Sequence, residues 1–116
     1  MQRTSLINCC SPLVRSPLTQ AEAVELERLF KALADRHRVR ILNLLADAED
    51  AVCVCALMPT LGLAQPTVSY HLKLLVEAGL LQREMRGRFS FYRIVPGALD
   101  RLGAVVSPRA EKALAA

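Results

Sequence analysis

Apolar residues recur at intervals of three or four between Thr19 and Val106, which is the period of amphipathic helices. The first predicted helix begins after Thr19, because Thr19 and Glu22 match a capping box, and it ends near Ala34. The second begins after Asp35, a favoured N-cap residue. The expected inward stripe of the first helix consists of Leu26, Leu29, Phe30 and Leu33. That of the second consists of Ile41, Leu44, Leu45 and Ala48. Arg36, Arg38 and Arg40 lie mostly outside the second stripe.

Two further helices follow, with a glycine between them. A short third helix is predicted over residues 56–61, because Pro59 lacks an N–H and its ring would clash with the carbonyl of residue 55 in a longer helix. Gly62 supplies the turn, and Pro66 suits the first position of a fourth helix. That helix is closed by Gly79 and has an expected inward face of Val68, Leu72 and Leu75.

The pattern then changes from helix to strand. The segments LQREM and FSFYRIV lie on either side of Gly87, which indicates a β-hairpin with Gly87 at its tip. A last amphipathic helix over about 96–106 carries Leu99, Leu102, Val105 and Val106. The chain therefore reads as mainly α with a small β-hairpin. We expect a flexible N-terminal arm at 1–18, one folded domain at 19–106 and a C-terminal tail at 107–116.

The short third helix, the turn at Gly62, the fourth helix and the basic hairpin follow one another in the order that is typical of a winged helix-turn-helix. One α-helix fits the major groove of B-DNA, and polar side chains on it can contact bases or phosphates. Arg86 and Arg88 flank Gly87, so the wing tip is expected to contact the DNA backbone or the minor groove. The alternative is that the polar face of the fourth helix contacts only water. The outward residues of the fourth helix are predicted to be Gln65, Thr67, Ser69, Tyr70, His71 and Lys73.

Composition and charge agree with a small DNA-binding domain. The 116 residues suit one domain, and the net charge of +4 has its local excess between Pro66 and Arg93. No apolar run reaches about 18 residues, and the N-terminus lacks a signal-peptide pattern, so we expect a cytoplasmic protein without a membrane partner. Redox CxxC, phosphate-loop and HExxH motifs are absent, which argues against an enzyme.

The four cysteines form two close pairs, Cys9-Cys10 and Cys53-Val54-Cys55. In a cytosolic chain such cysteines are more often metal-binding or redox-active than disulfide-bonded, and neighbours make strained disulfides. Neither histidine lies near them in sequence, so an all-sulfur site for a thiophilic ion is the simplest interpretation. The alternatives are buried small apolar side chains, an incidental N-terminal pair, or a thiol redox sensor.

The chain resembles the ArsR/SmtB family of metal-responsive repressors over about Leu26 to Leu102. The segments that carry the resemblance are LFKALADRHRVRILNLL, VCVCALM, QPTVSYHLKLLVEAGLL and GRFSFYRI. It implies a homodimer joined through its outer helices, which binds palindromic double-stranded operator DNA with the helix from Gln65 as the reader. Binding of a ligand would release the operator.

The resemblance also suggests the ligand. In many arsenite sensors of the family a third cysteine stands where this chain has Met58, whereas other members add N-terminal cysteines that reach the CVC element. The resemblance thus implies As(III) or Sb(III) as inducer, bound by Cys9, Cys10, Cys53 and Cys55, with Cd(II) or Pb(II) as the alternative. The family's second metal site, on the last helix, is not expected, because that helix offers only Asp100.

Overall fold

Five helices and three strands make up residues 17–107, the part of the chain that the computed structural model describes. The predicted arm and tail, including Cys9 and Cys10, therefore lie outside the described residues except for residues 17, 18 and 107. The elements are α1 (Gln20–Leu33), α2 (Arg36–Asp47), β1 (Val52–Cys53), α3 (Val54–Leu61), α4 (Gln65–Glu77), β2 (Leu81–Arg86), β3 (Phe89–Ile94) and α5 (Ala98–Val106).

Side-chain caps fix the starts of α1 and α2, as predicted. The hydroxyl of Thr19 accepts from the Glu22 N–H at 3.1 Å, and the Glu22 carboxylate accepts from the Thr19 N–H at 2.8 Å. The Asp35 carboxylate accepts from the N–H groups of His37 and Arg38, at 2.8 and 3.3 Å. These bonds satisfy backbone donors that the first turn of a helix leaves without partners.

The helix α3 begins at Val54, so the predicted start at residue 56 is wrong. Two features stabilise the earlier start. The sulfur of Cys53 caps the helix by accepting from the Cys55 N–H at 3.3 Å. The earlier start also adds Val54 to the buried side of the helix, which it shares with Leu57 and Leu61, although Pro59 lies inside the helix.

The sheet has three antiparallel strands in the order β1-β3-β2, one more than the predicted hairpin. The hairpin tip was correctly predicted, since Gly87 has φ of 65° and β2 pairs with β3 from Leu81↔Ile94 to Arg86↔Phe89. The additional strand β1 pairs Cys53 with Phe91. Because it has only two residues, β1 shows no alternation from which a sequence pattern could predict it.

An aliphatic core joins the helices to the sheet. Leu29 of α1, Ile41 of α2 and the inward residues of α4 have no exposed surface, as predicted. Phe30 was wrongly predicted to face inward on α1, since its side chain is 38% exposed. The fully buried residues of α4 are Val68, Leu72 and Leu75. Within residues 17–107 no helix has the length and apolar character needed to span a bilayer.

Candidate nucleic-acid interface and thiol site

A sharp turn between α3 and α4 sets the two helices of the helix-turn-helix. Gly62 has φ of 69°, a left-handed conformation that side chains disfavour, and its N–H donates to the Met58 carbonyl at 2.8 Å. Pro66 occupies the second position of α4, where a missing N–H costs no hydrogen bond. Gly62 and Pro66 therefore favour the end of α3 and the start of α4 within a few residues of each other.

The outer face of α4 is polar and accessible near its N-terminus. Gln65, Thr67 and Lys73 are exposed, Ser69 is half-buried, and Tyr70 is 57% exposed. Five of the six predicted reader residues thus lie at or near the surface of one helix. Such a face can enter a major groove, where amides and hydroxyls meet base edges and Lys73 meets phosphate.

His71, the sixth predicted reader residue, points inward. Its side chain is 7% exposed, and its Nδ1 lies 3.0 Å from Nη1 of Arg38. The predicted outward position of His71 is therefore wrong. Arg38, which was predicted to lie mostly outside the buried stripe of its helix, is buried as well, with 9% of its surface exposed. The helical period places position 71 beside Leu72 and Leu75 at the edge of the buried face, where a polar ring can be buried because Arg38 partners it.

The two predicted arginines of the wing have different environments. Arg88 is exposed in the turn and has no hydrogen bond or ion pair with any residue in the range 17–107. Arg86 instead donates to Glu84 at 2.7 Å and to Asp50 at 3.2 Å, and its guanidinium lies 4.5 Å from the ring centroid of Phe91. Only Arg88 offers an unpaired charge at the tip.

Arg86 belongs to an ion-pair network that the sequence did not reveal. Arg93 joins it, at 3.1 Å from Glu84 and 3.3 Å from Asp50. The pKa of Asp50 is lowered by the Ala51 N–H and then by Arg86, and the pKa of Glu84 is lowered chiefly by its bond to Arg86. Two cations and two anions cancel, so this face of the wing adds little net positive charge.

The two described thiols lie together where β1 runs into α3. Cys53 is half-buried and Cys55 is exposed, and both are free. A hydrogen bond with the Cys53 thiol is the main reason that the pKa of the Cys55 thiol is raised, with burial as a smaller cause. The N–H groups of Cys55 and Ala56 oppose that rise. The two thiols therefore interact with each other at the start of α3.

This thiol pair fits part of a thiophilic site. Two adjacent sulfurs suit a soft ion, but no group of three or more His, Cys, Asp or Glu is placed to hold a metal in the described chain. Met58, the position of a third cysteine in many arsenite sensors, is half-buried and packs against the core. Any further ligand must come from elsewhere, and Cys9 and Cys10 lie outside the described residues.

The chain is similar in sequence and in structure to known transcriptional regulators. Residues 35–83 match the family model described as "Bacterial regulatory protein, arsR family". The arsenical resistance operon repressor of Escherichia coli is 44% identical over 69 residues, which cover 60% of this chain and 58% of that protein. The chain thus spans less than two thirds of the length of that relative.

Two solved structures share the fold. The crystal structure of the antimony-specific transcriptional repressor AntR matches with a TM-score of 0.63 and 36% identity, covering 78% of this chain and 81% of that one. The solution structure of a homodimeric winged helix-turn-helix DNA-binding domain from Mycobacterium bovis matches with a TM-score of 0.62 and 31% identity, covering 86% and 94%. The predicted winged helix-turn-helix is thereby confirmed, and these folds are those of transcriptional regulators rather than enzymes.

Proposed function

Because the chain belongs to the arsR family of bacterial regulatory proteins, we propose that it is a dimeric repressor that trivalent arsenic or antimony releases from operator DNA. The observation that carries this proposal is the pair of adjacent thiols, Cys53 and Cys55, at the N-terminus of the first helix of the DNA reader. A ligand held there acts directly on the start of the helix-turn-helix.

The DNA-binding part of the proposal is supported by the outer face of α4 and by the wing tip. Thr67, Ser69 and Tyr70 would contact bases, whereas Lys73 and Arg88 would contact phosphates. In a dimer of two-fold symmetry two such faces would meet successive major grooves, about one helical turn apart. The homodimeric relative supports that arrangement.

The metalloid part is supported by sulfur chemistry and by the relatives. Thiolates prefer soft ions, and the names of two similar proteins refer to arsenicals and to antimony. Cys53 and Cys55 would supply two sulfurs, each after losing its proton. We propose that Cys9 and Cys10 complete the site, because Met58 offers only a weak, uncharged thioether.

The position of the thiols suggests how the ligand would weaken DNA binding. Cys53 pairs with Phe91 of the wing, and Cys55 lies in α3, which packs against α4. A ligand that draws these residues toward the N-terminal cysteines would move the wing and the reader together. Release follows only if the ligand binds the displaced form more tightly than the DNA-bound form.

Fluorescence anisotropy tests the proposal with a labelled duplex that the protein selects from a randomised library at low salt. We expect arsenite or antimonite to return the anisotropy to that of free DNA. Release by cadmium or lead without release by arsenite would contradict the metalloid assignment. Release by peroxide, reversed by a thiol reductant and without any response to arsenite, would favour a redox sensor.

A cysteine-to-serine series tests the ligands. Cys53→Ser and Cys55→Ser should each abolish release by arsenite while operator affinity is retained, because the hydroxyl is a poor ligand for a soft ion. Cys9→Ser and Cys10→Ser test the N-terminal pair separately. If both of these variants still respond to arsenite as the unmodified protein does, Cys9 and Cys10 are not ligands.

A further inference from the structure

The guanidinium of Arg38 connects three helices from a buried position. Arg38 belongs to the first turn of α2 and is 9% exposed. Its Nε donates to the Ala32 carbonyl at 2.6 Å and its Nη2 to the Lys31 carbonyl at 3.3 Å, both in the last turn of α1. Its Nη1 lies 3.0 Å from Nδ1 of His71, in the middle of α4. One side chain thus joins the end of α1 to the reader helix.

The contact with Arg38 defines the protonation state of His71. A guanidinium carries only N–H donors and stays charged, so Nδ1 of His71 must accept the hydrogen bond. The imidazole is therefore neutral, with its proton on Nε2. The charged and titratable groups that face it are Arg38, Asp35 and His37, and the His37 ring centroid lies 5.6 Å away.

We propose that Arg38 and neutral His71 are positioning residues that hold α4 at the angle that DNA reading requires. This inference rests on the proposed function, because it concerns the same reader helix. Tyr70, the neighbour of His71, is one of the exposed reader residues and has its ring centroid 5.6 Å from that of His71. A displacement of the turn that contains His71 therefore displaces part of the reading face.

Protonation of His71 would break this arrangement. An imidazolium cannot accept from Arg38, and two cations would then face each other at a buried contact. The pKa of His71 is lowered, mainly by burial and also by Arg38 and His37, although Asp35 opposes the change. The folded protein thus favours the neutral ring near neutral pH, and the contact is lost in acid.

The consequence is a pH-dependent affinity for DNA. If only the form with neutral His71 binds tightly, the apparent Kd rises by up to about tenfold for each pH unit below the pKa of His71. The affinity is greatest above that pKa and falls as the pH decreases through it. DNA phosphates do not titrate in this range, and the chain has only one other histidine, His37.

Operator anisotropy between about pH 8 and about pH 5.5 tests the inference, since this range spans histidine titration. We expect the unmodified protein to lose affinity as the pH falls. His71→Asn should bind well at both ends, because the amide oxygen can accept from Arg38 and does not titrate. His71→Leu should bind weakly at both ends, because the buried guanidinium loses its acceptor. His37→Asn is the matched control and should keep the pH dependence.

Circular dichroism at each pH verifies that every variant is folded. An unmodified protein whose affinity is independent of pH would overturn the inference, and so would an His71→Asn variant with the pH profile of the unmodified protein. Folded His71→Leu protein with full affinity would overturn it as well. If the unmodified protein selects no duplex at either pH, the proposed function fails and this inference fails with it.

Discussion

A single backbone position determines the shape of the wing tip. Gly87 has φ of 65°, and a Cβ atom built on it would meet nothing within 4 Å, so space does not restrict the residue there. The left-handed conformation itself does, because Cβ would approach the following carbonyl. The same turn carries Arg88, the exposed cation that we expect to contact phosphate. Glycine is therefore required at position 87 by the backbone conformation alone. Because the same turn carries Arg88, that conformation also affects the expected contact with DNA.

Substitution of Gly87 separates backbone strain from packing. Gly87→Ala should lower the free energy of unfolding by about 1 kcal/mol, because alanine is strained in the left-handed region. Gly87→Asn should lower it less, since asparagine tolerates this conformation. Urea denaturation at a fixed protein concentration measures both values. Equal losses for the two variants would show that strain at φ is not the cause.

Among the elements, the β2–β3 hairpin combines an exposed cation at its tip with a neutralised face. Arg86 and Arg93 are paired with Asp50 and Glu84, so these arginines have carboxylates where DNA would offer phosphates. Arg88 has no such partner among residues 17–107. Counterion release scales with the number of phosphates that a protein neutralises. The two arginines beside Gly87 should therefore contribute unequally to DNA affinity.

The salt dependence of operator binding measures this inequality. Arg88→Ala should reduce the slope of log affinity against log salt by about one, because one phosphate contact is lost. Arg86→Gln should change the slope less, since its charge is already balanced within the wing. Anisotropy titrations over a range of salt concentrations provide both slopes. A larger change for Arg86→Gln would contradict the assignment of Arg88 as the phosphate contact.

For the molecule as a whole, apolar residues at the surface indicate where a second copy would bind. Val24 and Phe30 of α1, and Leu99 and Val106 of α5, are 37% to 52% exposed. These are the outer helices, which the family resemblance assigns to the dimer interface. A small domain buries a limited part of its surface alone, so dimerisation would supply additional core.

A charge on the outer helices should prevent dimerisation. Leu99→Glu should shift the protein to a monomer and weaken operator binding, because a carboxylate is costly at an apolar interface and one half-site alone binds weakly. Val39→Glu is the matched control, since Val39 is 52% exposed but lies on α2. Sedimentation velocity measures the oligomeric state. A Leu99→Glu dimer would place the interface elsewhere.

Features that depend on neighbouring residues in the chain could be predicted from the sequence. The caps at Thr19 and Asp35, the inward face of α4 and the glycine tip of the wing follow from spacing and local chemistry, and all were correctly predicted. The start of α3 was wrongly predicted from Pro59, because burial of Val54 and the cap by the Cys53 sulfur favour a longer helix despite the proline. The ligand set that includes Cys9 and Cys10 stays a prediction.

The pairing of distant polar residues depends on how the helices and strands pack against one another. Arg38 and His71 are 33 positions apart, and Asp50 and Arg86 are 36 apart, so no helical or strand period relates them. Each pair forms because packing of separate elements brings a donor and an acceptor to one place, where desolvation favours the contact over separate exposure. For that reason the sequence assigned His71 and Arg86 to the DNA, whereas the fold turns His71 inward and pairs Arg86 with carboxylates.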